Sequence, residues 1–339
     1  MKQKIKYIYR QLKLALLKLF YSNRVLAKLY YFFFDTSFNR EMFSVIQGKR
    51  EYYKTSLEES KNKYQLVRNI HKIEKGISMK NRRTIFALDF IEETVETYLN
   101  LKNNLNIDSQ ISWAKEVLNN YFEIADSTNP IIGKMKNEFM RIPDTFERKN
   151  VPYKSNERAE STISYDDFLA LNKRRRSVRW YQQTNVNIEL VNKAIELSLQ
   201  APSACNRQPF QYYVIQDEKI LRRLSKLPMG TTGYADNIPL LVAIVGDLSA
   251  YFDERDRHVI YIDSSLSAMS FTLALETLGL SSCIINWPDI EMKEKKIQSL
   301  LKLNNSQRVT MLISVGYADQ EGMIPFSCKK DIKDAIKVI

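Results

Sequence analysis

The first half of the chain carries apolar residues at the spacing of α-helices. Within residues 1–34, apolar side chains recur every three or four positions, and the runs 86–95 and 113–124 each place an apolar face opposite a polar one. On this pattern, residues 62–143 are predicted to be mostly helical. We therefore expect a helical domain in the N-terminal half.

The second half interleaves short apolar runs with helical periods. Ser164 is followed by a tyrosine and two acidic residues, which is typical of a helix start, and Gly279 lies just past a long helical run. Interleaved strands and helices favour an α/β or α+β fold with a helix-covered sheet. The predicted strands are 211–215, 240–245, 282–285 and 309–315, and the predicted helices are 188–199, 264–278 and 290–301.

A polar, charged stretch separates the two patterns. Pro143 and Pro152 interrupt it, and prolines break helices. The length of 339 residues is compatible with two domains. We therefore predict a helical accessory domain over residues 1–150 and a second domain over residues 165–339.

Charge and composition narrow the possible functions. The net charge of +12 indicates attraction to a phosphorylated cofactor, an acidic lipid or nucleic acid. The three cysteines form no C-x-x-C pair and there are only two histidines, so neither a disulfide framework nor a metal site is expected. A reducing cytoplasm is the simpler location. Without a Gly-rich nucleotide fingerprint, a G-x-S-x-G pattern or an RNA-recognition motif, we predict no dedicated nucleotide domain, no hydrolase and no nucleic-acid partner.

The N-terminus is a basic amphipathic segment. Residues 1–34 contain eight Lys or Arg, and the first acidic residue is Asp35. The segment is too charged to span a membrane and lacks the features of a secretory signal. Such a helix can lie on an anionic membrane surface, which would make the protein peripheral at the inner face of the membrane. The alternative is a helix that packs on the protein's own body with a solvated basic face.

Two polar segments of the second half are candidates for a binding site. Arg175, Arg176, Ser177 and Arg179 form a cationic cluster, and arginine presents a rigid fork of donors that matches phosphate geometry. The alternatives are a solvated basic face and nucleic-acid contact.

The second segment is a turn that follows a predicted helix. It contains Pro202, Ser203, Asn206 and Gln208. Asn and Gln carry both donors and acceptors, which suits the imide edge of a flavin ring. The alternative is an ordinary turn whose side chains satisfy the local backbone.

The order of these segments resembles the nitroreductase family of flavoproteins. Residues 279–285, 315–317 and 325–330 continue the resemblance in the same order, so it covers about residues 165–339. It implies an α+β, three-layer sandwich, non-covalently bound FMN and a homodimer with both flavins at the interface. The N-terminal helical extension is similar to that of relatives from envelope-polysaccharide clusters.

The resemblance also implies roles for individual residues. Arg179 would lie beside the pyrimidine edge of the flavin. The flavin phosphate would be held by Arg175, Arg176, Ser177 and either Lys329 or Lys330. One side of the flavin would be approached, in part from the partner subunit, by Pro202, Ser203, Asn206 and Gln208. The other face would be lined by Ile285, Asn286 and Trp287.

The chain departs from the family pattern at two places. Trp287 stands where many members have Gly, and Asn286 stands where they have an acidic residue. A tryptophan there is expected to stack on the ring or to narrow the substrate space. Residues 229–233 offer no counterpart to the Asn-x-x-Lys ring contact of some members.

His71 is a further candidate residue. It lies three positions before Glu74, so on a helix both residues share a face. A histidine near a flavin could donate a proton during substrate reduction. The alternative is a helix-end histidine with a surface ion pair.

The resemblance implies an FMN-dependent oxidoreductase. NADH or NADPH would give hydride to FMN, and a small-molecule acceptor would then take the electrons. Two other functions stay open: flavin-dependent dehalogenation or fragmentation of the flavin itself, and a non-catalytic, membrane-associated binding module. The basic N-terminus adds the hypothesis of a role in envelope polysaccharide metabolism.

Overall fold

The computed structural model describes residues 2–104, 108–141 and 150–339. The N-terminal half is helical, as predicted. Its helices are α1 (Lys2–Phe20), α2 (Arg24–Phe33), α3 (Asn39–Tyr53), α4 (Lys63–Ile77), α5 (Ile91–Asn104), α6 (Ser109–Ile124) and α7 (Pro130–Met140).

Helices α4 to α7 pack around a hydrophobic core of their own, which includes Ile70, Leu118 and Phe122. The predicted helix over residues 86–95 is wrong at its start, because α5 begins only at Ile91. Ala87 has a left-handed φ of 64°, which a right-handed helix cannot contain.

The C-terminal half contains the predicted sheet. Each observed strand covers the predicted one and extends it by up to three residues. Its elements are α8 (Tyr165–Arg174), α9 (Ile188–Ser198), β1 (Phe210–Ile215), α10 (Glu218–Leu224), β2 (Leu240–Asp247), α11 (Val259–Thr277), β3 (Ser281–Asn286), α12 (Glu291–Leu301) and β4 (Gln307–Gly316).

The sheet lies between two helical layers. The strand order is β1-β2-β4-β3 and every neighbouring pair is antiparallel. Successive side chains of a strand face opposite sides, so Val242 and Ile244 pack against α9 and α11, whereas Ala243 and Val245 pack against α10 and α12. The predicted α+β class with a three-layer arrangement is confirmed.

Helices α3 and α4 join the two halves of the chain. Gly48 of α3 lies so close to Leu248 that an added Cβ would stand 2.6 Å from its backbone. Arg40 of α3 enters a buried group with Glu294 of α12 and Arg308 of β4. Residues 142–149 of the predicted boundary, which runs from Arg141 to Ser164, lie outside the described residues, and the two-domain division stays a prediction.

Helices α1 and α2 form a surface that is both basic and apolar. Asn23 caps α2 by accepting from the amides of Val25 and Leu26, so the predicted helical stretch is divided into two helices. Among the described residues, no helix is long and apolar enough to cross a membrane. The two helices leave many large apolar side chains exposed, among them Tyr9, Leu12, Leu19, Phe32 and Phe33.

Candidate functional site

The arginine cluster follows the end of α8 and is fixed against the edge strand β3. Ser177 forms a parallel bridge with Ser282, and the amide of Val178 donates to the Ser282 carbonyl at 3.1 Å. The cluster therefore has a defined position at the beginning of β3.

Arg175 carries a buried donor that has no partner. Its Nε is buried and makes no hydrogen bond among the described residues. The nearby acid is Glu276, near the C-terminal end of α11, which pairs with Arg174 at 3.4 Å. Burial raises the pKa of Glu276, and the charges of Arg174 and Arg175 oppose that rise. A buried unpaired donor costs stability, so this position is suited to an anionic ligand.

Arg176 faces the C-terminal segment of the chain. Its guanidinium lies 5.8 Å from the ring centre of Phe326. Lys329 and Lys330 follow within the same exposed segment and have no ion-pair partner in the described part of the chain. The C-terminal segment thus approaches the arginine cluster at Phe326, three residues before Lys329.

Arg179 points towards buried aromatic groups. Its Nη1 donates to the Ser177 carbonyl at 3.2 Å, and its guanidinium lies 5.8 Å from the ring centre of Tyr234. Burial raises the pKa of the Tyr234 hydroxyl to about 12, with further influence from Cys283 and Arg179. This arginine is therefore held in a different orientation from Arg175 and Arg176.

The turn before β1 is unusually strained and strongly hydrogen-bonded. Cys205, Asn206 and Gln208 all have left-handed φ values between 49° and 55°. The Ser203 hydroxyl donates to Asp263 at 2.6 Å and accepts from the Gln208 amide at 2.8 Å. The Gln208 side chain donates to Asn206 Oδ1 at 3.1 Å. These bonds hold the predicted ring-contacting residues in one arrangement, beside the exposed Pro202.

Asp263 of α11 organises this turn, and the sequence reasoning missed it. It is buried, and it accepts from the Ser203 hydroxyl and from the Ala204 amide. Burial raises its pKa, whereas these two donors and Arg207 lower it. Arg207 is buried as well and lies 5.1 Å from the Tyr251 ring centre. The available signal was that Asp263 and Glu276 are the two charged residues of an otherwise uncharged helix.

Trp287 packs in the core between the sheet and α12. Its indole N–H donates to Glu294, and its ring lies among Ile285, Ile297 and Leu312. Of the three predicted residues Ile285, Asn286 and Trp287, Asn286 is exposed and the other two are buried. Within one chain, the Trp287 indole is thus occupied by the core, and stacking on a ring stays a prediction.

Helix α4 brings His71 into the neighbourhood of the turn. The helix packs against residues 204–206 of the turn. His71 Nδ1 lies 3.8 Å from Glu74, as the spacing predicts. Burial and the charge of Lys75 lower the pKa of His71. Its role as a proton donor stays a prediction.

The two candidate segments do not meet within one chain. The turn is anchored at Asp263 and the arginine cluster at Glu276, and both anchors belong to α11. Thirteen positions separate the two acids, which corresponds to about 20 Å along an α-helix. Each end of α11 thus carries half of the predicted site.

Comparisons with known proteins match the sequence of the C-terminal half. A family model described as the Nitroreductase family matches residues 173–237 and 232–317. The NADH dehydrogenase of Thermus thermophilus is 25% identical over 194 residues, which cover 48% of this chain and 92% of that protein. Iodotyrosine deiodinase 1 of Pongo abelii is 22% identical over 201 residues, which cover 51% of this chain and 68% of that protein.

One similar solved structure is an FMN-dependent nitroreductase from Clostridium difficile R20291. It is 28% identical, with a TM-score of 0.41, and the match covers 46% of this chain and 91% of that one. From the family match and the sequence relatives, the C-terminal half of this chain is a nitroreductase-family domain, and the protein is an oxidoreductase of that type.

Proposed function

We propose that the protein is an FMN-dependent NAD(P)H oxidoreductase whose working unit is a homodimer. The observation that carries the proposal is the division of the site between the two ends of α11. A second copy, packed antiparallel across this helix, brings the Ser203–Gln208 turn of one chain beside the arginine cluster of the other.

The exposed face of α11 supports this arrangement. A helix that is apolar all round is normally buried, yet Ile262, Leu266 and Met269 are 56%, 43% and 40% exposed in the single chain. These three residues lie on one side of the helix; Leu266 and Met269 lie between the two anchoring acids, and Ile262 directly precedes the first of them. A second copy would bury them. The C-terminal segment adds exposed apolar residues, such as Phe326 and Ile332, that a second copy could also cover.

The donors around Arg175 fit the phosphate of FMN. Arg175 offers a buried Nε without a partner, Arg176 lies close by, and the Ser282 hydroxyl is also buried and unpaired among the described residues. Glu276 lies near these cations, and it already pairs with Arg174. A phosphate dianion would satisfy the donors and balance the charge.

The residues of the chain position and tune the cofactor. Bound FMN supplies the two-electron chemistry that links oxidation of NAD(P)H to reduction of an acceptor. Arg175 and Arg176 would hold the phosphate, and Arg179 would place positive charge beside the ring. The Asn206 and Gln208 side chains of the second copy are prearranged by the turn, so they would bind the ring without reordering. The second copy would also exclude water from that face.

Loss of FMN from an arginine variant tests the phosphate assignment. We expect the double variant Arg175→Ala/Arg176→Ala to purify with little FMN, measured by absorbance after denaturation. Arg222→Ala is the matched control, since Arg222 is exposed and pairs with Glu218 on α10. Equal FMN occupancy in the two variants would refute the assignment.

A second candidate reaction is flavin-dependent dehalogenation, favoured by the match to an iodotyrosine deiodinase. Turnover of NAD(P)H with a nitroaromatic compound and with a halotyrosine, without oxygen, separates the two. If halide release from the halotyrosine is faster than reduction of the nitroaromatic compound, dehalogenation replaces nitroreductase-type reduction as the proposed reaction.

We further propose that α1 and α2 bind an anionic membrane surface and place the flavin site near a membrane-linked pathway, such as envelope polysaccharide synthesis. Support comes from the basic residues and the exposed aromatic rings of these helices. Vesicles with and without phosphatidylglycerol, mixed with the full chain and with Lys6→Glu/Arg10→Glu/Lys13→Glu, test it. Equal sedimentation of both proteins would contradict it.

A further inference from the structure

A groove opens between α2, α3 and the turn that precedes α11. Its volume is about 920 Å³, within the range of about 300–1,000 Å³ typical of small-molecule sites. Charged and polar groups stand at its margin. The apolar lining consists of Ala27, Tyr31, Phe32, Phe38, Met42, Val45 and Ile46.

The apolar lining is open to solvent. Phe32, Met42 and Ile46 are all exposed, and Tyr31 stacks edge-on against Phe38 with ring centres 4.6 Å apart. A contiguous apolar surface of this kind marks an interaction site. The surface continues into the exposed apolar residues of α1 and α2, so a ligand that enters from this side meets apolar groups throughout.

The charges at the margin of the groove leave a positive excess. Glu254 pairs with Lys49 at 2.7 Å, and Glu41 lies 4.0 Å from His258 Nδ1. Lys28 and Arg257 have no carboxylate partner in the described ranges of the chain. An anionic group beside these two cations would therefore be stabilised.

The combination of features selects among possible occupants. A small soluble anion would use Lys28 and Arg257 but not the aromatic lining. A second copy of this chain would bring another net charge of +12 against a margin that is already positive. An amphiphile with an apolar chain and an anionic headgroup matches both parts.

We propose that this groove holds an acyl chain of an anionic membrane phospholipid, with the headgroup phosphate paired to Lys28 and Arg257. The proposal deepens the membrane binding proposed above by adding one discrete lipid site. The lipid would fix the orientation of the C-terminal domain on the membrane, because Arg257 directly precedes α11 through His258.

Two matched tryptophan variants on α2 test the groove. Ala27→Trp fills it, whereas Val25→Trp adds the same ring at an exposed position of the same helix outside it. Binding of monomeric lysophosphatidylglycerol to the full-length protein is measured by native mass spectrometry. We expect one bound lipid for the wild type and for Val25→Trp. Ala27→Trp should bind about ten-fold more weakly, since losing the contact of about two methylenes is sufficient.

A second variant tests the headgroup contact separately, and it keeps the proposal testable if Ala27→Trp fails to fold. Lys28→Gln/Arg257→Gln should remove the preference for lysophosphatidylglycerol over lysophosphatidylcholine. An unchanged affinity in Ala27→Trp, or an unchanged preference in the double variant, would overturn the proposal. Sedimentation with phosphatidylglycerol vesicles separates the groove proposal from the membrane-surface proposal. Vesicle binding without binding of one lysolipid would contradict the groove proposal alone. Binding of one lysolipid without vesicle binding would contradict the membrane-surface proposal alone.

Discussion

The two ends of α11 hold the two halves of the candidate site in opposite states. At Asp263, the carboxylate accepts from the Ser203 hydroxyl and the Ala204 amide, so these turn donors are satisfied within the chain, although the neighbouring Arg207 keeps a buried Nε without a partner among the described residues. At Glu276, the neighbouring Arg175 keeps a buried donor without a partner. The turn at one end is thus finished within the chain, whereas the arginine cluster at the other end keeps a donor that a ligand would complete.

This contrast explains why a single chain does not close the site. The finished turn lies about 20 Å along the helix from the cluster with the unpaired donor. Both ends become useful to one cofactor only if a second copy of α11 runs alongside in the opposite direction. The apolar face between them, at Leu266, is available for that contact.

The largest expected effect comes from placing a charge in that face. Leu266→Arg should be tolerated by the single chain, because the side chain is partly exposed there, yet it should weaken dimerisation by about thirty-fold or more. Sedimentation equilibrium measures the change, and FMN content should fall with it. Met292→Arg on exposed α12 is the matched control. A dimer of unchanged affinity in Leu266→Arg would place the interface elsewhere.

Removing the anchor of the finished end should cost stability even without FMN. Asp263→Ala leaves the Ser203 hydroxyl and the Ala204 amide without their buried acceptor, while Arg207 keeps Asp256 at 3.8 Å, so we expect a loss of about 3 kcal/mol in the free energy of unfolding. Urea denaturation measures it. Ser265→Ala, at an exposed position on the same helix, should change stability by less than about 0.5 kcal/mol. Similar values for the two variants would show that Asp263 does not anchor the turn.

The smallest effect concerns His71, on the helix that packs against the finished turn. Burial and Lys75 lower the pKa of His71, so the folded chain binds this proton less readily than the unfolded chain, whose value is about 6.5. The contribution of His71 to stability is therefore complete at neutral pH and declines as the pH falls through about 6.5.

A proton NMR titration, with His258→Gln for assignment, measures this pKa. A value above about 6.5 would mean that the ion pair with Glu74 outweighs burial.

The sequence was sufficient to predict the helices and strands, but it was insufficient to predict which of their residues contact one another. Apolar runs predicted all four strands, and the Ser164 cap and the end of α11 at Gly279 follow from local chemistry. The predicted start of α11 at residue 264 is late by five positions. The sequence analysis did not single out Asp263, because its burial depends on the tertiary contact with the turn.

Local patterns also could not place Trp287. Its departure from the family pattern predicts stacking on the ring or a narrower substrate space, and nothing in that pattern indicates that the indole N–H donates to Glu294 within the chain. Glu294 is seven positions later, on α12. The apolar periodicity of α12 alone does not predict how that helix is oriented against the sheet. Local patterns also did not predict that the arginine cluster and the turn are separated. Each is anchored by a single acid of α11, and the sequence alone does not indicate these contacts.

Mixing two defective variants tests the shared site most directly. Arg175→Ala/Arg176→Ala lacks the cluster, and Asn206→Gly/Gln208→Gly lacks the turn side chains while glycine tolerates the left-handed backbone at both positions. Each variant alone should bind little FMN. If every site combines two chains, an equal mixture that exchanges subunits regains about a quarter of the wild-type sites, since half of the dimers are mixed and each has one intact site. No recovery of FMN binding after complete exchange would contradict the shared site.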